Sequence, residues 1–324
     1  MAGDGEFDFI RNQLLPLTEG DPAALGLADD AALLPPGPGR EMVLACDSLV
    51  AGVHFLDSDE PAVVAARALR SNLSDLAAMG ARPRAYLAAI AWPDVLGADW
   101  REAFVRALHR EQSLFGLTLI GGDTTSTPGP LTLSLTLVGQ VATGTALRRS
   151  GAMPGDDVWV SGVIGDGVLG LNSARSGAGV LTGALAGALS RYQSPEPRLA
   201  LGQGLRGLAS AAIDVSDGLL ADAGHIASAS RCCLALDVDA VPVSPTATAW
   251  LSAGGSLETL VTGGDDYELL FTAPADGRDR VEALGEAGDV PLTRIGAVQP
   301  GEGVQARYHD GRLMQPARAG FTHF

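Results

Sequence analysis

The chain has 324 residues, 46% of them hydrophobic, enough to bury the cores of two domains, and a formal net charge of −16. That charge excludes a nucleic-acid backbone as partner, because the basic side chains that would displace its counterions are lacking, and it disfavours an anionic membrane on the same ground. All 22 basic residues are arginine, which excludes a P-loop, a protein-kinase phosphate grip and Schiff-base chemistry, since each needs a lysine.

In chain order, residues 6–17 read as a short amphipathic helix and 18–26 as a loop. The acidic pair Asp29-Asp30 then meets an apolar run, and a strand over 42–47 ends on Asp47 before Gly52-Val53-His54-Phe55. Pro61 suits a first helical turn, and Gly80 and Pro83 close a helix that carries Asn72-Leu73-Ser74-Asp75. On periodicity alone its Arg67, Arg70, Ser71, Ser74 and Asp75 form a solvent-facing stripe. A buried strand over 86–92, a helix over 99–115 and a strand over 117–120 follow, the last running into Gly121-Gly122-Asp123-Thr124-Thr125; residues 131–141 alternate as a strand should. The breakers of 148–156 suggest a crossover, so the expected domains are 1–145 and 146–324. Beyond it the spacing predicts strands over 157–161, 234–238, 268–272 and 292–298, and helices over 198–209, 246–253 and 279–287. Asp217 is placed to start a further helix that runs to about 229. Such alternation indicates an α/β or α+β architecture.

No apolar run approaches membrane-spanning length and no basic-then-apolar leader opens the chain, so the expected location is the cytoplasm. The three cysteines, Cys46, Cys232 and Cys233, give neither a disulfide framework nor a zinc site.

Six aspartates stand where apolar strands or helices begin or end: Asp30, Asp47, Asp75, Asp123, Asp214 and Asp217, with hydroxyls at Ser216, Thr124 and Thr125. Any one alone reads as a turn or cap residue. Brought together they would repel one another unless cations lay between them, and an all-oxygen donor set suits magnesium, which commonly accompanies a phosphorylated substrate. Spacing leaves their convergence open.

Eight motifs in order resemble the thiamine-monophosphate kinases of the aminoimidazole ribonucleotide synthetase-like superfamily. They are residues 27–32, 47–55, 72–81, 121–125, 149–152, 214–219 and 263–269, and the final Gly320-Phe321-Thr322-His323-Phe324. The resemblance implies an N-terminal ATP- and magnesium-binding domain whose strands join a partner's in a dimeric barrel. It also implies a C-terminal α/β domain that completes the active site, and ATP-dependent conversion of thiamine monophosphate to thiamine diphosphate. Position by position, it implies that Asp30, Asp47, Asp75, Asp123, Asp214 and Asp217 are magnesium ligands. It places Gly121, Gly122, Arg149 and Ser216 on ATP, His54, Asp265 and Phe321 on the thiamine side, and Asp75 and Arg149 in catalysis.

Ala28 stands where the family usually has glycine, Ala45-Cys46 replace hydroxyl residues before Asp47, and Asp265 replaces a glutamate one methylene longer. Three alternatives remain: a sister ATP-dependent enzyme of the superfamily, a non-catalytic magnesium-nucleotide scaffold, and a haloacid-dehalogenase-type phosphatase built on Leu234-Ala235-Leu236-Asp237-Val238-Asp239.

Overall fold

A computed structural model describes residues 9–27, 36–176 and 185–321. They divide into two compact units: the described residues up to Leu76 with Arg82–Gly144, and Ala77–Ala81 with those from Thr145 onward. Asp30 and the terminal Thr322-His323-Phe324 lie outside the described residues.

The first unit holds strand β1 (Arg40–Val50), helix α1 (Pro61–Ala78), β2 (Arg82–Pro93), α2 (Ala98–Phe115), β3 (Thr118–Thr127) and β4 (Thr132–Ala142). Its four-stranded sheet runs β1-β4-β2-β3, antiparallel except for the β2/β3 pair. In β4, Leu133, Leu135 and Leu137 are buried and the intervening Thr132, Ser134 and Thr136 only half-buried, the alternation of a sheet with one covered face. α1 starts at Pro61 and stops before Gly80, whose φ is +66°. Its expected solvent-facing stripe is overturned, because Arg67, Ser71 and Ser74 are buried and Asp75 half-buried. The Arg67 guanidinium is retained inside by donating to the His54 carbonyl.

Two other local expectations change. The expected N-terminal helix is a π-turn at Ile10–Leu14 followed by a 3-10 turn at Leu15–Thr18, because Pro16 offers no N–H and disfavours α geometry at the residue before it. The strand expected over 117–120 is longer, since β3 continues through Gly121-Gly122-Asp123 to Thr127 as a sheet edge, with an irregularity where Tyr86/Leu87 pair across it.

The second unit contains β5 (Asp157–Ser161), α3 (Asp166–Ser176), α4 (Ala186–Gln193), α5 (Leu199–Leu205), β6 (Ala211–Asp214), α6 (Leu219–Ser230) and β7 (Cys233–Asp237). These are followed by α7 (Pro245–Ser252), α8 (Leu257–Thr262), β8 (Leu269–Ala273), α9 (Arg278–Gly288), β9 (Leu292–Gln299) and β10 (Gly303–Arg307). The six strands run β10-β7-β9-β5-β8-β6. Val158, Val160 and Leu270 pack with Leu219, Ala223 and Ile226 of α6, while Trp159 and Phe271 pack with Leu201 and Leu205 of α5 and Val281 of α9. The sheet is therefore covered on both faces, which is why β5 and β8 are buried at every position. Each leucine or isoleucine so enclosed contributes about 1.5–3 kcal/mol of burial.

The structure lends the phosphatase alternative no support: β7 lies between β9, antiparallel, and β10, parallel, Asp237 ends the strand and the Asp239 carboxylate accepts the His309 backbone N–H at 2.7 Å, holding a neighbouring loop. No helix among the described residues is long and apolar enough to cross a membrane.

Candidate functional site

In the first unit two of the expected aspartates are linked to α1, Asp75 on the helix and Asp47 through its backbone. The Asp47 N–H donates to Asn72 Oδ1 at 3.0 Å, and Asn72, fully buried, donates from Nδ2 to the Ala68 carbonyl. One helical turn separates Asn72 from Asp75, so this side-chain tether brings the β1 aspartate toward the half-buried carboxylate of α1. Asp123 is exposed on the opposite edge strand, in a row adjacent to that of Asp47. Three strand spacings separate them, roughly 14 Å along the sheet, so the register does not put these two carboxylates in direct contact.

His54 follows β1, and its Nδ1 accepts the Val50 N–H at 3.0 Å, which leaves the proton of the neutral ring on Nε2. Gly122 has a φ of +153°, and a Cβ there would run into the Ala88 backbone, so only glycine lets the edge strand pass this close to β2. Beside Asp123 a cavity of about 310 Å³ is lined by Phe9, Trp92, Arg101, Glu102, Thr124 and Ser126 among others. Trp92 Nε1–H donates to Thr124 Oγ1 at 2.9 Å, and Trp100 stacks on Phe104 behind it.

In the second unit, motifs far apart in sequence meet at one turn, residues 215–218. The Asp265 N–H donates to the Ser216 carbonyl and the Phe321 N–H to the Asp217 carbonyl, each at 2.9 Å, while Tyr267 N–H reaches the Val215 carbonyl at 2.8 Å. Asp214, 4% exposed, ends β6 just before the turn. The Phe321 ring is half exposed. Asp265 Oδ1 accepts from the Tyr267 hydroxyl at 3.0 Å. Arg149 lies on an exposed loop held through its backbone: Ser230 Oγ donates to the Arg149 carbonyl and accepts the N–H groups of Gly151 and Ala152, all at 3.1 Å.

The helix-starting role expected of Asp217 belongs to another residue. α6 is preceded by Gly218 at φ +125°, and the N–H groups of Ser216, Asp217 and Gly218 all donate to Asp222 Oδ2. Burial, with the charges of Asp214 and Asp217 beside it, pushes the Asp222 carboxyl up to about 7. Asp217, Asp222 and His225 bring one ligand atom each within 4.8 Å of one another. Sequence reasoning missed Asp222 and His225. Their three-residue spacing puts them on one face of α6, but that signal is shared by most polar helix faces.

A second buried carboxylate, Asp266, takes the N–H groups of Gly165 and Gly167 at the start of α3, and burial raises it well above the usual carboxylate range against those two bonds. Glu268, completely buried, is held by Arg191, Arg198 and the Ser161 hydroxyl. The Gly-Gly-Asp-Asp-Tyr-Glu motif thus divides its labour: Asp265 faces the turn while Asp266 and Glu268 hold the loop from inside.

The donors are hard oxygens in both units, and the crowding of Asp214, Asp217 and Asp222 in one partly desolvated cluster leaves negative charge that a divalent cation would offset. These residues therefore fit magnesium.

Residues 28–141 match the family described as AIR synthase related protein, N-terminal domain, and residues 153–309 match AIR synthase related protein, C-terminal domain. The chain is 45% identical to the thiamine-monophosphate kinase of Caulobacter vibrioides over 98% of its own length and 90% of that protein's. The crystal structure of thiamine-monophosphate kinase from Stenotrophomonas maltophilia K279a superposes with a TM-score of 0.85 at 42% identity, covering 94% of this chain and 96% of that one. The structure of AaThiL complexed with AMPPCP and TMP gives a TM-score of 0.80 at 28% identity, over 100% of this chain and 98% of that one.

Proposed function

The chain belongs to the AIR synthase related family and, within it, to the thiamine-monophosphate kinases, and from this premise we propose that it transfers the terminal phosphoryl group of ATP to thiamine monophosphate, yielding thiamine diphosphate and ADP. The observation in this chain that carries the reading is the 215–218 turn. There the Asp265 N–H donates to the Ser216 carbonyl and the Phe321 N–H to the Asp217 carbonyl, so two residues expected on the thiamine side are tied to one expected on ATP and one expected on magnesium, with Asp214 ending β6 just before them.

The acceptor is a phosphate monoester with a second pKa of about 6, largely a dianion at neutral pH, so no general base is needed. The obstacle is repulsion between two polyanions. Asp30, Asp47, Asp75 and Asp123 of the N-terminal domain (1–145) and Asp214 and Asp217 of the C-terminal domain (146–324) are proposed to hold magnesium. Bound there, it would supply charge neutralisation and in-line alignment of the phosphates. Asp75, anchored on a rigid buried helix, is positioned to share its carboxylate, and the Asn72 tether fixes where Asp47 enters. Arg149 supplies a fork of donors to the transferring group where other kinases use the point charge of a lysine.

Gly121, Gly122 and the cavity beside Thr124 are assigned to the nucleotide, the cavity matching a nucleobase in size and aromatic lining. His54, through Nε2, Asp265 against the thiazolium charge and the Phe321 ring are assigned to thiamine. A homodimer through the N-terminal sheet is proposed on the family resemblance, with β1 an edge strand of that sheet. The proposed location is cytoplasmic.

The test is one assay with purified protein, ATP, magnesium and thiamine monophosphate, with free thiamine as control acceptor. One-to-one formation of thiamine diphosphate and ADP is expected, absent with free thiamine. In Asp75→Asn the turnover falls by at least about 100-fold with unchanged circular dichroism. ADP without thiamine diphosphate would point instead to a sister activity, and nucleotide binding without turnover to a scaffold.

A further inference from the structure

Three successive N–H groups at the start of a twelve-residue helix form the concavity that elsewhere receives a phosphate oxygen. At the start of α6 that concavity is filled from within. Ser216, Asp217 and Gly218 each donate to the same atom, Asp222 Oδ2, at 3.1 Å, and Asp222 is 2% exposed. The other side of the turn is consumed as well. The Ser216 carbonyl takes the Asp265 N–H, the Asp217 carbonyl the Phe321 N–H and the Gly218 carbonyl the Asp222 N–H. With every main-chain N–H from 216 to 218 engaged internally, the turn has no backbone donor left for an anion, and what it offers a ligand is acceptor oxygen, the Asp217 carboxylate foremost.

We infer that Asp222 is a positioning residue that closes the α6 N-terminus to phosphate and turns this loop into a cation-holding one. The inference rests on the magnesium role proposed above for Asp214 and Asp217. An open N-terminus would present about half a positive charge, pull a phosphate oxygen onto the backbone and compete with any cation at Asp217. Filled by Asp222, the same backbone is neutralised. The charge left over, from Asp214 and Asp217, is negative and suits a cation. The filling also orients Asp217, whose N–H is one of the three bonded groups.

The experiment compares wild type with Asp222→Ala and Asp222→Asn. Asparagine keeps an oxygen able to accept the three N–H groups, whereas alanine empties the concavity. In the metal-free protein without substrates, the alanine variant is expected to expose the 216–218 amides to hydrogen exchange and to bind inorganic phosphate, seen by phosphorus NMR. Wild type and the asparagine variant do neither. In turnover, half-saturating magnesium rises about tenfold or more in the alanine variant, the KM for thiamine monophosphate stays within about twofold, and asparagine restores most of the loss.

A folded alanine variant with wild-type magnesium dependence and no phosphate binding would overturn the inference. So would an equal rise in both kinetic constants that asparagine fails to rescue. Should alanine prevent folding, Asp222→Ser carries the same comparison. Because phosphate binding and amide exchange are read without substrates, they stand or fall separately from the assigned reaction.

Discussion

Asp265 has a φ of +72° and Tyr267 of +53°, on either side of the buried Asp266. Left-handed backbone is costly for residues with a Cβ, and strain of this type persists where surrounding bonds over-determine it. Here the Asp265 and Tyr267 N–H groups are both tied to the 215–218 turn. Aspartate tolerates the left-handed region better than most residues, so its presence where the family usually has glutamate suits the backbone even as the side chain is one methylene shorter. Asp265→Gly separates the two effects. Stability by urea denaturation should rise by about 0.5 kcal/mol, while the KM for thiamine monophosphate rises about tenfold, the loss of one charged contact.

At the scale of elements, the second unit is tied together by carboxylates that the proposed chemistry does not use. Glu268, at the start of β8, is paired with Arg198 at 2.5 and 2.7 Å and with Arg191 at 2.5 Å. Arg198→Ala leaves Arg191 as a remaining partner, and the expected loss is about 3 kcal/mol by urea denaturation, the lower end for breaking a buried pair.

Asp157, at the start of β5, receives Arg278 of α9 at 2.5 and 2.8 Å and Arg294 of β9 at 3.3 Å. The Arg278 bond, against the opposing effect of burial, holds this carboxyl below its usual value of 3.8. The folded state therefore takes up this proton less readily than the unfolded chain does. The stabilisation is complete above the usual carboxylate value and disappears as pH falls through it toward the folded one. Asp157→Asn should lower the urea midpoint at neutral pH and flatten its dependence on pH in that acid window; an unchanged acid slope would show that other carboxylates carry it.

For the whole molecule, a net charge of −16 means that divalent cations held by its crowded carboxylates should act as folding ligands. Magnesium at 100 times its dissociation constant stabilises by about 2.7 kcal/mol. The melting temperature of the nucleotide-free protein should rise with magnesium and not with an equal ionic strength of sodium, and Asp75→Asn should reduce that rise.

The sequence by itself determined the alternation of strands and helices, the helix opened by Pro61 and closed at Gly80 and the exclusion of lysine chemistry, because periodicity, breakers and composition are local properties of the chain. The eight motifs carried the family as well. Only the tertiary structure decided that Arg67, Ser71 and Ser74 face inward, that Asp222 rather than Asp217 caps α6, and that Phe321 closes on Asp217 from more than a hundred residues away. The physical reason is that burial depends on what the fold packs against a side chain: the Ser71 and Ser74 hydroxyls are enclosed with no hydrogen-bond partner among the described residues, whereas Asp222 and Phe321 meet backbone groups that only the folded turn presents to them.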